Sequence, residues 1–201
     1  MPGTGNTGGT SSGTAGFDVL RGYSLNEVFR GFAGDDVIFG AGGNDQLFGG
    51  NDDDSLNGQD GNDRLFGEAG FDNLKGGNGT DVLSGGRGND ILRGNAGRDA
   101  FLFDAAPNRT TNVDTIVDFR SVDDVVRIDN ALFRSVGPNG RLKADAFFQG
   151  TAAGDAEDRI IYDRSTGSLY YDPDGIGAAA QIRFAILQNK AAVVLSDFVV
   201  V

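Results

Sequence analysis

Cysteine and histidine are both absent from this chain of 201 residues. Without cysteine there are no disulfides, thiolate metal sites or cysteine nucleophiles, and without histidine neither the usual zinc sites nor a Ser/His/Asp triad can be built. Most hydrolase chemistry is thereby removed. Glutamate is nearly missing too: of 29 acidic residues only Glu27, Glu68 and Glu157 are glutamate, leaving 26 aspartates. Basic residues number 17, and the net charge of −12 argues against nucleic acid or an anionic membrane as a partner. No apolar run approaches the ~20 residues that a membrane helix needs. No basic-then-apolar segment precedes a small-residue cleavage site near Met1. A secreted protein of this sequence would therefore need another export route.

What is present is glycine and aspartate. Thirty-three glycines do not suit an ordinary core, because glycine loses the most conformational freedom on folding and is placed where the backbone needs positive φ or close approach. The surplus of the shorter carboxylate suggests geometry, such as reaching a hard cation from a tight turn, rather than solubility alone.

Both residues fall on a nine-residue period that starts at Gly13 and runs through ten repeats to Leu102 without an insertion. The first position is always glycine. The sixth is Asp18, Glu27, Asp36, Asp45, Asp54, Asp63, Asp72, Asp81, Asp90 and Asp99, with one glutamate as its only departure. The eighth is always apolar: Leu20, Phe29, Ile38, Leu47, Leu56, Leu65, Leu74, Leu83, Leu92 and Phe101. Position four is glycine except at Leu25 and Asp52, so each unit reads Gly-x-x-Gly-x-Asp-x-apolar-x.

A unit this short accommodates six turn residues and a three-residue strand, and two units close one coil. Strand side chains alternate, so position eight points inward while positions seven and nine point outward. Repeat n then lies above repeat n + 2. The expected fold is all-β, a parallel β-roll: a two-sheet solenoid of nonapeptide repeats with a narrow, mainly leucine core. Such a core buries one aliphatic side chain per repeat, roughly 1.5–3 kcal/mol each, against a backbone ordering cost on the order of 1–2 kcal/mol per residue. Something besides apolar burial has to hold the coils together.

Stacked turns bring the sixth-position carboxylates of repeats n and n + 2 together, beside carbonyl oxygens of the glycine-rich turns. Calcium accepts 6–8 oxygen ligands, carboxylate and carbonyl alike, whereas magnesium demands a tighter octahedron. Pairing across ten repeats gives up to eight Ca2+ ions in two rows. Residues 13 to 102 carry 15 acidic and 7 basic side chains, so folding and metal binding are expected to be one event. The sites of the first repeats are expected to be weaker, because repeat two carries Leu25 and Glu27.

The units Gly76-Gly77-Asn78-Gly79-Thr80-Asp81-Val82-Leu83-Ser84 and Gly85-Gly86-Arg87-Gly88-Asn89-Asp90-Ile91-Leu92-Arg93 resemble the nonapeptide repeats of RTX (hemolysin-type) calcium-binding proteins. The resemblance implies that Asp18, Asp36, Asp45, Asp54, Asp63, Asp72, Asp81, Asp90 and Asp99 bind calcium. It implies the same of the turn carbonyls of Gly34, Gly43, Gly61, Gly70, Gly79, Gly88 and Gly97.

After Leu102 the period vanishes. Short strands are expected around residues 101–103, 114–119, 125–128, 159–162, 168–171 and 180–184, one short helix at 142–148, and a hairpin turn at 163–167. The expected organisation is a flexible lead-in (1–12), the calcium-binding roll (13–102) and a β-rich C-terminal cap (103–201) over the open end of the solenoid. Asp114-Thr115-Ile116-Val117-Asp118-Phe119, Asp123-Asp124 and Ile160-Ile161-Tyr162-Asp163 resemble the C-terminal part of serralysin-type RTX proteins. The end, Asp197-Phe198-Val199-Val200-Val201, resembles the uncleaved signals read by type I secretion systems, its alternative being an ordinary last strand.

Asp114, Asp118, Asp123 and Asp124 are candidates for one further calcium site. Asp172-Pro173-Asp174-Gly175 resembles the start of an EF-hand loop but lacks the distal glutamate, so a turn is expected. Phe48 and Phe66, at position nine, are expected on one outer face, under a neighbouring segment. The functional expectation is a secreted, extracellular, non-enzymatic module that folds on calcium and supports type I export. A calcium-dependent polysaccharide- or surface-binding module, or the tail of a larger secreted enzyme, are the alternatives.

Overall fold

The computed structural model describes residues 8–201; the first seven residues of the expected lead-in lie outside the described residues. The lead-in is not wholly flexible, since its end forms β1 (Thr10–Ser12), paired with residues 28–30. Ten strands then start in the repeats, one in each: β2 (Val19–Arg21), β3 (Val28–Ala33), β4 (Val37–Gly42), β5 (Gln46–Asn51), β6 (Ser55–Asp60), β7 (Arg64–Ala69), β8 (Asn73–Gly79), β9 (Val82–Arg87), β10 (Ile91–Gly97) and β11 (Ala100–Phe103). Eight more follow: β12 (Asp114–Ile116), β13 (Val125–Ile128), β14 (Gly140–Arg141), β15 (Phe147–Gln149), β16 (Ile160–Asp163), β17 (Ser168–Tyr171), β18 (Ile182–Leu187) and β19 (Phe198–Val200).

They form two sheets. One runs β1-β3-β5-β7-β9-β11-β13-β19-β14 and the other β15-β16-β17-β18-β12-β10-β8-β6-β4-β2. Odd and even repeats thus alternate between the sheets, the arrangement of a parallel β-roll. Leu47 pairs with Leu65 and Leu56 with Leu74, so the register places each repeat on the one two units later. Position eight is sealed from Phe29 onward, Leu47, Leu65, Leu74, Leu83 and Leu92 having no measurable exposure, while Leu20 at the open end is partly buried.

Most strands of the roll are longer than the three residues expected, covering six from position seven to position three of the next unit, as in β4. The chain stays paired past position nine because position one is glycine. A methyl group at Gly31 would sit 2.2 Å from Asp36 Oδ2 and 2.5 Å from the Gly49 carbonyl oxygen. The bend comes at positions two and four, both left-handed. Position four is mostly served by glycine, as at Gly61 (φ 139°), with Asp52 (φ 77°) an exception, and position two accepts Phe32, Ala41, Gln59, Glu68 and Asn95 at φ 70–84°.

The two sheets continue without a break into the C-terminal half, β12 pairing with β10 and β13 with β11. There β16, β17 and β18 turn antiparallel, and β14 runs antiparallel to β19. The core widens into a cluster that includes Phe133, Tyr162, Phe184 and Phe198. The helix expected at 142–148 is not formed. Leu142 and Ala146 do turn inward, but only one 3₁₀ turn appears (Ala144–Ala146), because the next three residues pair with β16 as β15. Edge pairing outweighs the propensity of so short a segment. The hairpin at 163–167 is present, its turn held by the Asp163 carboxylate, which accepts from Ser165 and Thr166. Among the described residues no helix is long and apolar enough to cross a membrane.

Candidate metal centre

Each sixth-position side chain sits immediately before a strand, at the seam between turn and sheet. From Asp36 to Asp99, Oδ1 accepts the backbone N–H of the sixth residue two repeats earlier, as Asp54 does from Asp36 (2.7 Å), Asp72 from Asp54 (2.8 Å), Asp63 from Asp45 (2.8 Å) and Asp81 from Asp63 (2.8 Å). Two unbroken rows result. One holds Asp18, Asp36, Asp54, Asp72 and Asp90; the other holds Glu27, Asp45, Asp63, Asp81 and Asp99.

The second carboxylate oxygen separates the early repeats from the rest. In Asp18 it accepts from Thr14, and in Glu27 from the Tyr23 N–H. From Asp36 to Asp99 it is buried and has no hydrogen-bond partner, which makes eight orphaned oxygens. A buried polar atom left unpaired is costly, and a charged one more so. No cation among the described residues pairs with any of these oxygens, and only Asp99 feels a favourable charge at a distance, from Arg120. Among the described residues the one ion pair is Arg120–Asp123, outside the rows.

The cost appears as raised proton affinity. Burial pushes Asp72 up to about 8, and the row neighbours Asp90 and Asp54 add repulsion, against the lowering effect of the Asp54 N–H. Burial also raises Asp54 and Asp81 to about 7, and Asp45 and Asp99 to about 6, each with repulsion from a carboxylate of its own row or its continuation. Asp36, Asp63 and Asp90 move the same way for the same first cause.

Carbonyl oxygens line the same seam. The position-four carbonyl of Gly43 comes so near the next rung that a methyl group at Gly61 would lie 1.6 Å from it and 3.3 Å from Asp63 Oδ1. The Gly70 carbonyl stands in the same relation to Gly88 and Asp90. Among the described residues no three ligating side chains converge on a point. An ion in these rows therefore takes one or two carboxylates and fills its shell with carbonyl oxygens. That donor set of hard oxygens fits calcium.

The four aspartates proposed as a separate site do not gather. Asp114 continues the first row, its Oδ1 accepting the Asp90 N–H (3.2 Å), and Asp124 continues the second, accepting the Asp99 N–H (2.9 Å). Burial raises the proton affinity of both. Asp118 accepts from Gly94 and Asn95, and Asp123 pairs with Arg120. The spacing of 24 or 25 residues hid the row members, although Asp114-Thr115-Ile116 and Asp124-Val125-Val126 keep the Asp-x-apolar signature.

Position five, which the repeat formula leaves unmarked, also carries a ladder. Asn26, Asp35, Asn44, Asp53 and Asn62 each accept the backbone N–H of the residue 18 positions on, a second ladder outside the first. The EF-hand-like segment is a turn, with Asp172 Oδ1 accepting from Asp174 and Gly175. Phe48 and Phe66 stack on the outer face of the first sheet and remain half-buried.

Segments 12–47, 22–56, 30–65, 39–74 and 75–105 match the family model of the RTX calcium-binding nonapeptide repeat (4 copies). Comparison with curated proteins found no match. Among solved structures, the chain is similar to the AlgE6R3 subunit of the mannuronan C5-epimerase of Azotobacter vinelandii. Identity is 24%, with 92% of this chain and 80% of that one covered, at a TM-score of 0.25.

Proposed function

We propose that this chain, with RTX calcium-binding repeats over residues 12–105, is a secreted module that folds when it meets extracellular calcium and transforms no substrate. The observation that carries this reading is the pair of rows of buried, partnerless Oδ2 atoms. Asp36, Asp45, Asp54, Asp63, Asp72, Asp81, Asp90 and Asp99 would hold the ions, with turn carbonyls such as those of Gly43, Gly61, Gly70 and Gly79 completing the shells. Asp114 and Asp124 would close the two rows. Calcium supplies the positive charge that the rows lack.

Extracellular calcium modules bind with dissociation constants of about 10⁻⁴–10⁻³ M, so the chain would stay unfolded where calcium is scarce. That state suits passage through a type I exporter. The resemblance of Asp197 to Val201 to a type I signal, and of residues 114–163 to serralysin C-terminal regions, supports this route.

Far-UV circular dichroism during calcium titration tests the proposal, with magnesium as control. A cooperative gain of β signal with calcium alone is expected. Equal folding in chelator would overturn it.

A further inference from the structure

On the outer face of the first sheet a short aromatic stack ends beside an open cavity. Position nine of the odd-numbered strands aligns Arg30, Phe48, Phe66 and Ser84 in direct register. The Arg30 guanidinium lies 4.7 Å over the Phe48 ring, and Phe48 stacks on Phe66 with centroids 5.1 Å apart and planes 9° from parallel. The stack then stops. At the next position Ser84 is too small to continue it, and its hydroxyl donates to Asp104 Oδ1 (2.5 Å). A cavity of about 380 Å³ opens at this point, lined by Phe48, Phe66, Glu68, Ser84, Arg87 and Asp104.

Pockets of this size hold small ligands, fixed by a few polar groups against an apolar wall. Here the wall is aromatic, and its π face attracts the slightly positive C–H edge or face of a ring laid against it. The polar groups are two carboxylates and one guanidinium. Carboxylates accept from hydroxyls, and guanidinium donates to their oxygens. Within the lining, two carboxylates against one guanidinium disfavour an acidic ring.

We infer that this cavity binds one hexopyranose unit of a neutral glycan, its C–H face on Phe66 and its hydroxyls on Glu68, Arg87 and Asp104. The site rests on the calcium-folded reading, since β7 and β9 form its floor only in the assembled roll.

The test uses the full chain in calcium, with circular dichroism recorded first and again in chelator. Isothermal titration with cello-, manno- and galacto-oligosaccharides follows, beside an oligouronate and an aromatic-rich peptide. At least one neutral series should bind, Phe66→Ala should weaken it at least tenfold, and Asp104→Asn several-fold. Arg93→Ala, on the outer face of the other sheet, should leave it unchanged. A folded protein that binds no neutral oligosaccharide, that binds it equally as Phe66→Ala, or that prefers the uronate or the peptide overturns the inference. A chain already folded in chelator overturns the calcium reading alone, because glycan binding is still read on that folded protein.

Discussion

Replacing Asp72 with asparagine should change stability in opposite directions depending on calcium. The side chain is 1% exposed, and its Oδ1 accepts the Asp54 N–H at 2.8 Å, a bond that asparagine keeps. Its Oδ2 has no partner, and a methyl group at Gly67 would lie 2.2 Å from it and 2.6 Å from the Gly85 carbonyl. An amide nitrogen there faces an acceptor where a carboxylate oxygen faces repulsion. Burial raises Asp72 from 3.8 to about 8. Each pH unit of mismatch is worth about 1.4 kcal/mol, so keeping this group in the metal-free roll near pH 7.5 costs at most about 5 kcal/mol. Relaxation of the surroundings brings this to about 2–3 kcal/mol, still a large part of a typical domain stability of 5–15 kcal/mol. In chelator, where the chain is unfolded, Asp72→Asn should shift the equilibrium towards the roll by that amount and so raise the β signal. In calcium the same change should lower the urea midpoint and reduce ion stoichiometry, because Asp72 lies between Asp54 and Asp90 in its row. Circular dichroism near pH 7.5, read directly in chelator and through urea titration in calcium, gives the two signs. Loss of stability in both would refute the reasoning and make Oδ2 a structural acceptor; a gain in both would mean that no ion occupies the row.

Acidifying the metal-free protein should favour the roll. The folded values of Asp45, Asp54, Asp72, Asp81 and Asp99 lie above the unfolded one, so the folded state holds more protons between about pH 4 and pH 8 and loses stability as pH rises through that window. Chelated protein followed by circular dichroism should gain β signal on acidification, whereas calcium-loaded protein should lose ions, since the ligands must be deprotonated. Gly61→Ala should remove calcium sites from the middle of one row, because its methyl group would meet the Gly43 carbonyl at 1.6 Å at φ 139°; Gly16→Ala, with open space around it, is the control, and ion counting by equilibrium dialysis checks both. Leu65→Ala should cost about 2–5 kcal/mol in calcium without altering ion stoichiometry, read by thermal melts and the same dialysis.

The roll was legible because one periodic rule sets strand phase, core and register together. A residue at position eight is inward in every repeat, so Leu47 through Leu92 could be assigned without reference to any contact. The strand lengths were not legible in the same way. They depend on pairing beyond position nine, and the bend falls at position two, where Phe32, Gln59 and Asn95 adopt left-handed φ without a glycine to mark it. Asp114 and Asp124 were named as metal candidates but placed in one cluster. Insertions of several residues broke the period that would have assigned them to separate rows. In the C-terminal half, single elements such as Val125–Ile128 and Ser168–Tyr171 were read at their observed bounds, while the order in which they join the sheets depends on tertiary pairing.

That joining bears on how the roll ends. The last rungs of the repeats do not close on themselves: the Asp90 and Asp99 N–H groups are bonded by Asp114 and Asp124, and those of Gly94 and Asn95 by Asp118. The C-terminal half thus covers the final core residues and also supplies the next carboxylate in each row. Its own final strand, β19, lies between β13 and β14 with Phe198 and Val200 buried. Under the proposed function, an exporter that reads the residues from Asp197 onward would have to meet Phe198 and Val200 before the sheets form, because both are buried in the folded chain.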